Sequence, residues 1–551
     1  MSNKSLSILP IGLCFLISVF FTMTIIAAEK DSEKEVIFYT DGRHSSVYLY
    51  EPPMSVRQYV EPIDELLDLG IDTITYAVGD CSVLLYETKV GERWGHNLNL
   101  VDHIVWYRAG QNAQSLIHRG KDPLHVVSTH AQRRGFKFMP NLLLNMLHTP
   151  PSKVTNSRVA NFTTQHPEWQ VGPEPNYPES VHDNPARLSY ARPEIRADRL
   201  AVIRELITNY SSDGIELNFH DYAPFIARRE VAQHTQTMTD WMREIRTISN
   251  QASADQGRQK RLIVRIAGTL DGTKSMGMDL GTWIREELVD SVIAMPVTHG
   301  FEANTSELRK VIKAAEGTRV SVLAGLGRKH SDSRGMYIAA AANAYAAGAQ
   351  GVLFHTYYRE PHMYPYNDVD TGTIRLMGYP DVLAHKDKSF HIGSNPKPDT
   401  PPKYGIPWQL PLKLVPGKPG KTIYLEVADD VAAKAKVGEL WRCELQIMLQ
   451  HMMYTDKVRL WWNGKEIPAA KQRKADWTYQ MRPRPTEYRG YRFHVDLQGA
   501  DLPKVGLNTI RVDVLKKDAK LIYPIAVVDV ELAVEYLPGR HGIRQEDEGP
   551  G

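Results

Sequence analysis

Apolar and polar positions along the chain follow two rhythms. From residue 36 to residue 358, short β-branched or apolar runs alternate with stretches of helical periodicity in eight successive pairs. The strand-like runs are VIFYTDGR (36–43), DTITYAVG (72–79), FKFMPN (136–141), DGIELNF (213–219), RLIVRIAG (261–268), SVIAMPV (291–297), RVSVLAG (319–325) and GVLFHTYY (351–358). The helix before the fourth run has the clearest signals: Pro193 and Glu194 open it, and Leu200, Ile203, Leu206, Ile207 and Tyr210 recur along one side. Eight strand–helix units predict a closed (β/α)8 TIM barrel over residues 35–392. A doubly wound open sheet is the alternative, weakened because no G-x-G-x-x-G turn follows the first run. The connections after the second and third runs are long, and in a barrel such insertions lie at the C-terminal face, where active sites are built.

Beyond the barrel the rhythm shortens. The stretch SNPKPDTPPKYGIP marks a Pro-rich linker, placed at 393–407. Alternating runs such as TIYLEVADD, LWRCELQIML, KVRLWWNGKEI, NTIRVDVLK and AVVDVELAVEYL then predict an all-β sandwich over 408–538, with Asn463-Gly464 as a hairpin turn. Trp441, Trp461, Trp462 and Trp477 could stack on sugars or serve as core and interface residues; the adjacent pair Trp461 and Trp462 must face opposite sides. Residues 539–551 read as a disordered tail.

The N-terminus adds an address. Lys4 precedes an apolar run from Leu6 to Ile26 that ends at Ala27-Ala28 before EKDSEKE, a signal-peptide pattern over residues 1–28. An uncleaved anchor is the alternative, because the run approaches the roughly 18–20 residues that span a bilayer. Either way the bulk of the chain is expected to be secreted or periplasmic, with no stable membrane insertion once the signal is removed. With 66 Lys plus Arg against 64 Asp plus Glu, the net charge of +2 gives no field that would recruit nucleic acid. Outside the signal only Cys81 and Cys443 remain, too few for a disulfide framework or a Cys-based metal site. Twenty histidines include no H-E-x-x-H, although His44, His220, His299 and His355 could converge, so no metal and no cofactor is expected.

Barrel strands alternate between helix-facing and axis-facing side chains. In DGIELNF the apolar set Ile215, Leu217 and Phe219 belongs against the helices, leaving Glu216 and Asn218 to point inward and His220 to continue their line at the mouth. The same parity turns Tyr39, Asp41, Arg43, Asn141, Arg265, His355 and Tyr357 inward, with Asp80, Asp271, His299, Arg328 and Glu360 just past strand ends. Carboxylates, arginines, imidazoles and tyrosines around one opening suit a polyhydroxylated ligand. Glycoside hydrolysis ordinarily needs two carboxyl groups; Glu216, Asp41 and Asp80 are the catalytic candidates, and Arg43, Asn141, Asn218, His220, Arg265, His299, His355, Tyr357 and Glu360 the substrate-binding ones. Glu216 and Arg265 could equally form a buried ion pair, and Asp41 and Asp80 could serve as turn formers.

With DGIELNFH preceded by LSYARPEIRADRLAVIREL and followed by AQGVLFHTYY and LMGYPDVLA, most of residues 35–390 resembles the secreted family-10-like glycosyl hydrolases of bacteria. That resemblance implies a glycosidase-type barrel, often attached to a β-sandwich, acting on a polysaccharide or oligosaccharide. Family 18 chitinases carry Asp-Gly-x-Asp-x-Asp-x-Glu on the fourth strand; here the corresponding positions are Asp213, Gly214, Glu216, Asn218 and His220, so the chitinase acid is replaced by histidine. A non-catalytic carbohydrate-binding barrel and a metal-dependent carbohydrate hydrolase or deacetylase remain the other readings. Oligomeric state leaves no mark in the pattern.

Overall fold

A computed structural model describes residues 34–79, 83–96, 101, 103–145, 158, 160–172, 187–221, 223–297, 304–326, 334–355, 368–394, 402, 404–479 and 489–537. Eight parallel strands close into a barrel: β1 (Glu35–Thr40), β2 (Thr73–Ala77), β3 (Lys137–Leu143), β4 (Gly214–Asn218), β5 (Arg261–Ala267), β6 (Ser291–Met295), β7 (Ser321–Gly325) and β8 (Gly351–His355). Each strand neighbours the next in sequence and β8 returns to β1, the TIM-barrel order. No helix among the described residues is long and apolar enough to cross a membrane.

Two apolar layers hold the barrel. Outward residues, Ile215, Leu217 and Phe219 among them, join one cluster with helices such as Pro193–Asn209. Inward residues Ile37, Tyr39, Ala77, Met139, Ile263, Ile293, Met295, Leu323 and Leu353 form a second. At the N-terminal end Arg261 donates to Glu35 at 2.8 Å and to Ser291 at 2.9 Å, closing the floor. A cavity of about 960 Å³ opens beside that floor. Its position, away from the strand C-termini, makes it a poor candidate for chemistry despite its size.

The second domain is a β-sandwich. One sheet has the order β9 (Lys388–Gly393), β18 (Ala526–Tyr536), β12 (Leu440–Gln450), β16 (Tyr491–Asp496), β15 (Arg473–Asp476), with β10 (Leu412–Lys413) beside β18. The other runs β11 (Ile423–Val427), β17 (Gly506–Lys516), β13 (Lys457–Trp462), β14 (Lys465–Ile467). Inward residues of both sheets, including Leu425, Leu445, Ile447, Leu460, Val512 and Val530, make a single core. Strand β9, grouped with the barrel when the boundary is set at 392, pairs antiparallel with β18: its alternation buries Phe390 and Ile392 in the sandwich, so that domain starts ahead of the Pro-rich stretch. Trp462 lies in the sandwich core, whereas Trp461 faces the other way, beneath the Arg511 guanidinium and bonded to Asp513. Trp441 and Trp477 are exposed.

Cys443 belongs to the same core at 3% exposure, and burial pushes its thiol up to about 12. Since the thiolate is the reactive form, iodoacetamide at pH 8 is expected to leave Cys443 untouched in the folded protein and to modify it fully in urea. Mass-spectrometric labelling of Cys443 before unfolding would contradict this burial.

The domains are clasped by one carboxylate. Glu426 of β11 is buried against the barrel helix Ser306–Ala315, accepting from the Thr305 backbone N–H at 2.7 Å, the Thr305 hydroxyl at 2.9 Å and Arg309 at 2.8 Å. It therefore meets the free donor and positive end of that helix. The Glu426 backbone is held as well, by Asn304 at 3.1 Å and Asn343 at 2.9 Å. Glu426→Ala strands these donors and should destabilise the protein by about 2 kcal/mol, read as a lower urea midpoint and earlier proteolysis between the domains.

Candidate active site at the barrel mouth

At the C-terminal end, β1 stops at Thr40 and the chain turns at Gly42 into a single π-helical turn, Arg43–Val47. Gly42 has φ +64°, and a Cβ there would lie 2.3 Å from the Tyr76 ring, so only glycine fits. The turn ends strand parity before Arg43; Arg43 is nonetheless buried, with its guanidinium 3.3 Å from Asp41. Asp41 organises the whole corner. Its Oδ1 accepts the backbone N–H groups of Arg43 at 3.0 Å and His44 at 3.1 Å, and its Oδ2 lies 2.5 Å from His44 Nδ1. His44, with its side chain 52% exposed, is thereby an oriented imidazole facing solvent, edge-on to Tyr48.

On the other side of the opening, Asn218 ends β4 and turns the chain. Its Oδ1 accepts the backbone N–H groups of His220 and Asp221, each at 3.1 Å, and its Nδ2 donates to Asp221 Oδ2 at 2.8 Å. Asp221 is thus presented at the rim with 29% of its side chain exposed, and His220 Nδ1 lies 3.4 Å from its other oxygen. Strand parity could not find Asp221, because it stands beyond the strand end; the Asn-x-x-Asp spacing, an Asx turn, is the signal that could have.

Below the rim, Glu216 and Arg265 are both fully buried and paired at 2.5 Å. The Arg265 guanidinium packs 4.0 Å from the centre of the Tyr39 ring, reaching across the barrel from β5 to β1. Burial opposes the charge of Arg265, but Glu216 and Tyr39 reverse that and leave it more firmly protonated than an ordinary arginine. Tyr39 is held neutral: burial pushes its phenol well up, Arg265 and Arg43 pull against it, and Asp41 and Asp221 add to the rise. Glu216 Oε2, both terminal nitrogens of Arg265 and the amide of Asn141, beside Glu216 in register, have no hydrogen-bond partner among the described residues.

The structure thus brings Asp41, Arg43, Asn218 and His220 to the mouth and places Glu216, Arg265 and Asn141 in the interior beneath it. Asp80, His299, Tyr357 and Glu360 lie outside the described residues, as does the His355 side chain. So do the signal segment, most of the Pro-rich stretch and the tail. Among the described residues no group of three His, Cys, Asp or Glu side chains could hold a metal ion.

Residues 43–275, which include Arg43, His44, β4 and β5, match the family model described as "Glycosyl hydrolase-like 10". No protein of curated function matches the sequence. Among solved structures, this chain aligns with the galactosidase domain of an alpha-galactosidase-sucrose kinase at 12% identity and a TM-score of 0.36, over 85% of this chain and 55% of that one. An alpha-galactosidase of Geobacillus stearothermophilus aligns at 11% identity and 0.37, over 88% and 56%. Alpha-L-fucosidase isoenzyme 2 of Paenibacillus thiaminolyticus aligns at 10% and 0.38, over 64% and 49%. The chain spans about half the length of these proteins, and so distant a likeness says nothing of substrate.

Proposed function

We propose that the protein is an exported glycoside hydrolase that cleaves an oligosaccharide or polysaccharide at the C-terminal mouth of the barrel. The observation that carries this reading is a barrel mouth with a positioned carboxylate at the end of β4, Asp221 aimed by Asn218, and an Asp41–His44 dyad at the end of β1. Hydrolysis breaks the bond between the anomeric carbon and the bridging oxygen. It needs one group to protonate that oxygen and another to deliver water or attack the carbon.

Asp221 suits the second role, because its carboxylate reaches solvent and is aimed by Asn218. His44 suits the first: Asp41 holds the imidazole through Nδ1 and through the His44 backbone N–H, leaving an oriented ring at the surface that can pass a proton to the bridging oxygen and recover one from water. Glu216, enclosed with Arg265, supports the site from below rather than touching sugar. Export rests on the N-terminal pattern of residues 1–28.

The test is a screen of purified protein against plant, algal and microbial polysaccharides, with Asp221→Asn beside the native chain. Release of reducing sugar by the native protein alone is the expected result. Equal release by both would remove Asp221 from the chemistry. Binding without release would favour a carbohydrate-binding barrel, a reading to which the enclosure of Glu216 lends some weight.

A further inference from the structure

A cleft of about 390 Å³ lies between the barrel and the sandwich, within the size range of ligand sites. Its barrel wall is made by the ends of three strands: Gly268 after β5, Met295 on β6 and Gly325 on β7. The glycine at 325 is required by the geometry, since a Cβ there would sit 2.1 Å from the Met295 sulfur. Met295 also belongs to the interior cluster that contains Tyr39. The opposite wall is the sandwich, through Pro407, Tyr424 and Leu507.

Tyr424 is held still yet left open. Its backbone N–H donates to the Gln409 side chain at 2.7 Å, and its carbonyl accepts from Gln409 at 2.9 Å and Asn304 at 3.0 Å. Two residues on, the Glu426 clasp ties the same strand to the barrel. Despite this fixing, Tyr424 is 46% exposed, and Leu507, paired with Glu426 in register, is 49% exposed. An exposed aromatic side chain on a fixed stretch of backbone at a cleft rim offers its face to a ligand with an apolar face. A pyranose ring offers one, through its axial C–H groups, while its hydroxyls stay toward water and the polar rim that Gln409 and Glu307 supply.

We propose that this cleft is a second carbohydrate subsite, contributed jointly by the two domains, which binds sugar units of a glycan chain distant from the bond cut at the mouth. The inference rests on the glycosidase reading for its choice of ligand. The sandwich is then part of the substrate-binding surface, and affinity grows with chain length.

The test is calorimetric titration of Asp221→Asn protein, which prevents turnover, with cellohexaose, xylohexaose, mannohexaose and maltohexaose and the matching disaccharides. The same series is run with Tyr424→Ala and with Leu507→Ala added, folding being checked by circular dichroism. At least one hexasaccharide should bind more tightly than its disaccharide, and Tyr424→Ala should reduce that preference by about tenfold. No binding of any hexasaccharide, or a length preference that survives both substitutions, overturns the proposal. If native protein cleaves glycans while the preference survives, only the cleft assignment fails. If the preference collapses but native protein cleaves nothing, the cleft stands and the glycosidase reading fails.

Discussion

Asp221→Asn is expected to lower kcat by about 10²–10⁴ while leaving KM and the folded structure nearly unchanged, the usual range for removal of a positioned acid–base group. The amide is isosteric with the carboxylate. Its oxygen can still accept the 2.8 Å hydrogen bond from Asn218, so the turn at the end of β4 keeps its shape. What is lost is the negative charge and basic oxygen at the rim. Steady-state kinetics on any substrate found by the polysaccharide screen, with azide added as an external nucleophile, reads the effect. A kcat within about threefold of native would fall outside the expected range and exclude Asp221 from proton transfer or attack. Glu216→Gln makes the contrasting case: its carboxylate is enclosed with Arg265, so its replacement should be felt in stability more than in kcat.

Arg265→Met should destabilise the barrel by about 3–5 kcal/mol, the cost of leaving a buried charge without its partner. Glu216 would then keep a carboxylate in a fully enclosed interior, and Tyr39 would lose the guanidinium that packs on its ring. Adding Glu216→Leu should recover most of the loss, because an apolar pair of similar volume replaces two desolvated charges. The unpartnered nitrogens of Arg265 and the unpartnered Oε2 of Glu216 strengthen that expectation. Calorimetry on native, single and double variants measures both steps. A single variant as stable as native, or a double variant as weak as the single, would mean that the charges are not coupled as their 2.5 Å contact indicates.

The barrel was legible because its signal is periodic. Each of the eight runs read as strands holds a barrel strand, and the alternation in DGIELNF sorts Ile215, Leu217 and Phe219 from Glu216 and Asn218 as observed. The site was legible only as far as that alternation extends. Parity turned Glu216 inward but could not tell how deep it lies, since depth depends on Arg265 and Tyr39 arriving from other strands. At the rim the chain leaves strand geometry, at Gly42 after β1 and at Asn218 after β4. The side chains that reach solvent, His44 and Asp221, are placed by Asx-type turns rather than by a strand. The start of the sandwich was obscured for a related reason: β9 joins its sheet by pairing with β18, a partner near the other end of the domain.

The Glu426 clasp also sets an order of events during synthesis. Helix Ser306–Ala315 leaves the ribosome about 110 residues before the carboxylate that meets its N-terminus. At ordinary elongation rates that interval is roughly 5–20 s. Strands β7 and β8 are made early in it, and from the end of β8 at His355 until Glu426 arrives all eight barrel strands exist while the helix that follows β6 has an open end. The nascent barrel therefore remains adjustable on that side until the sandwich strand arrives, and a chain cut at the Pro-rich stretch would stay in that adjustable state.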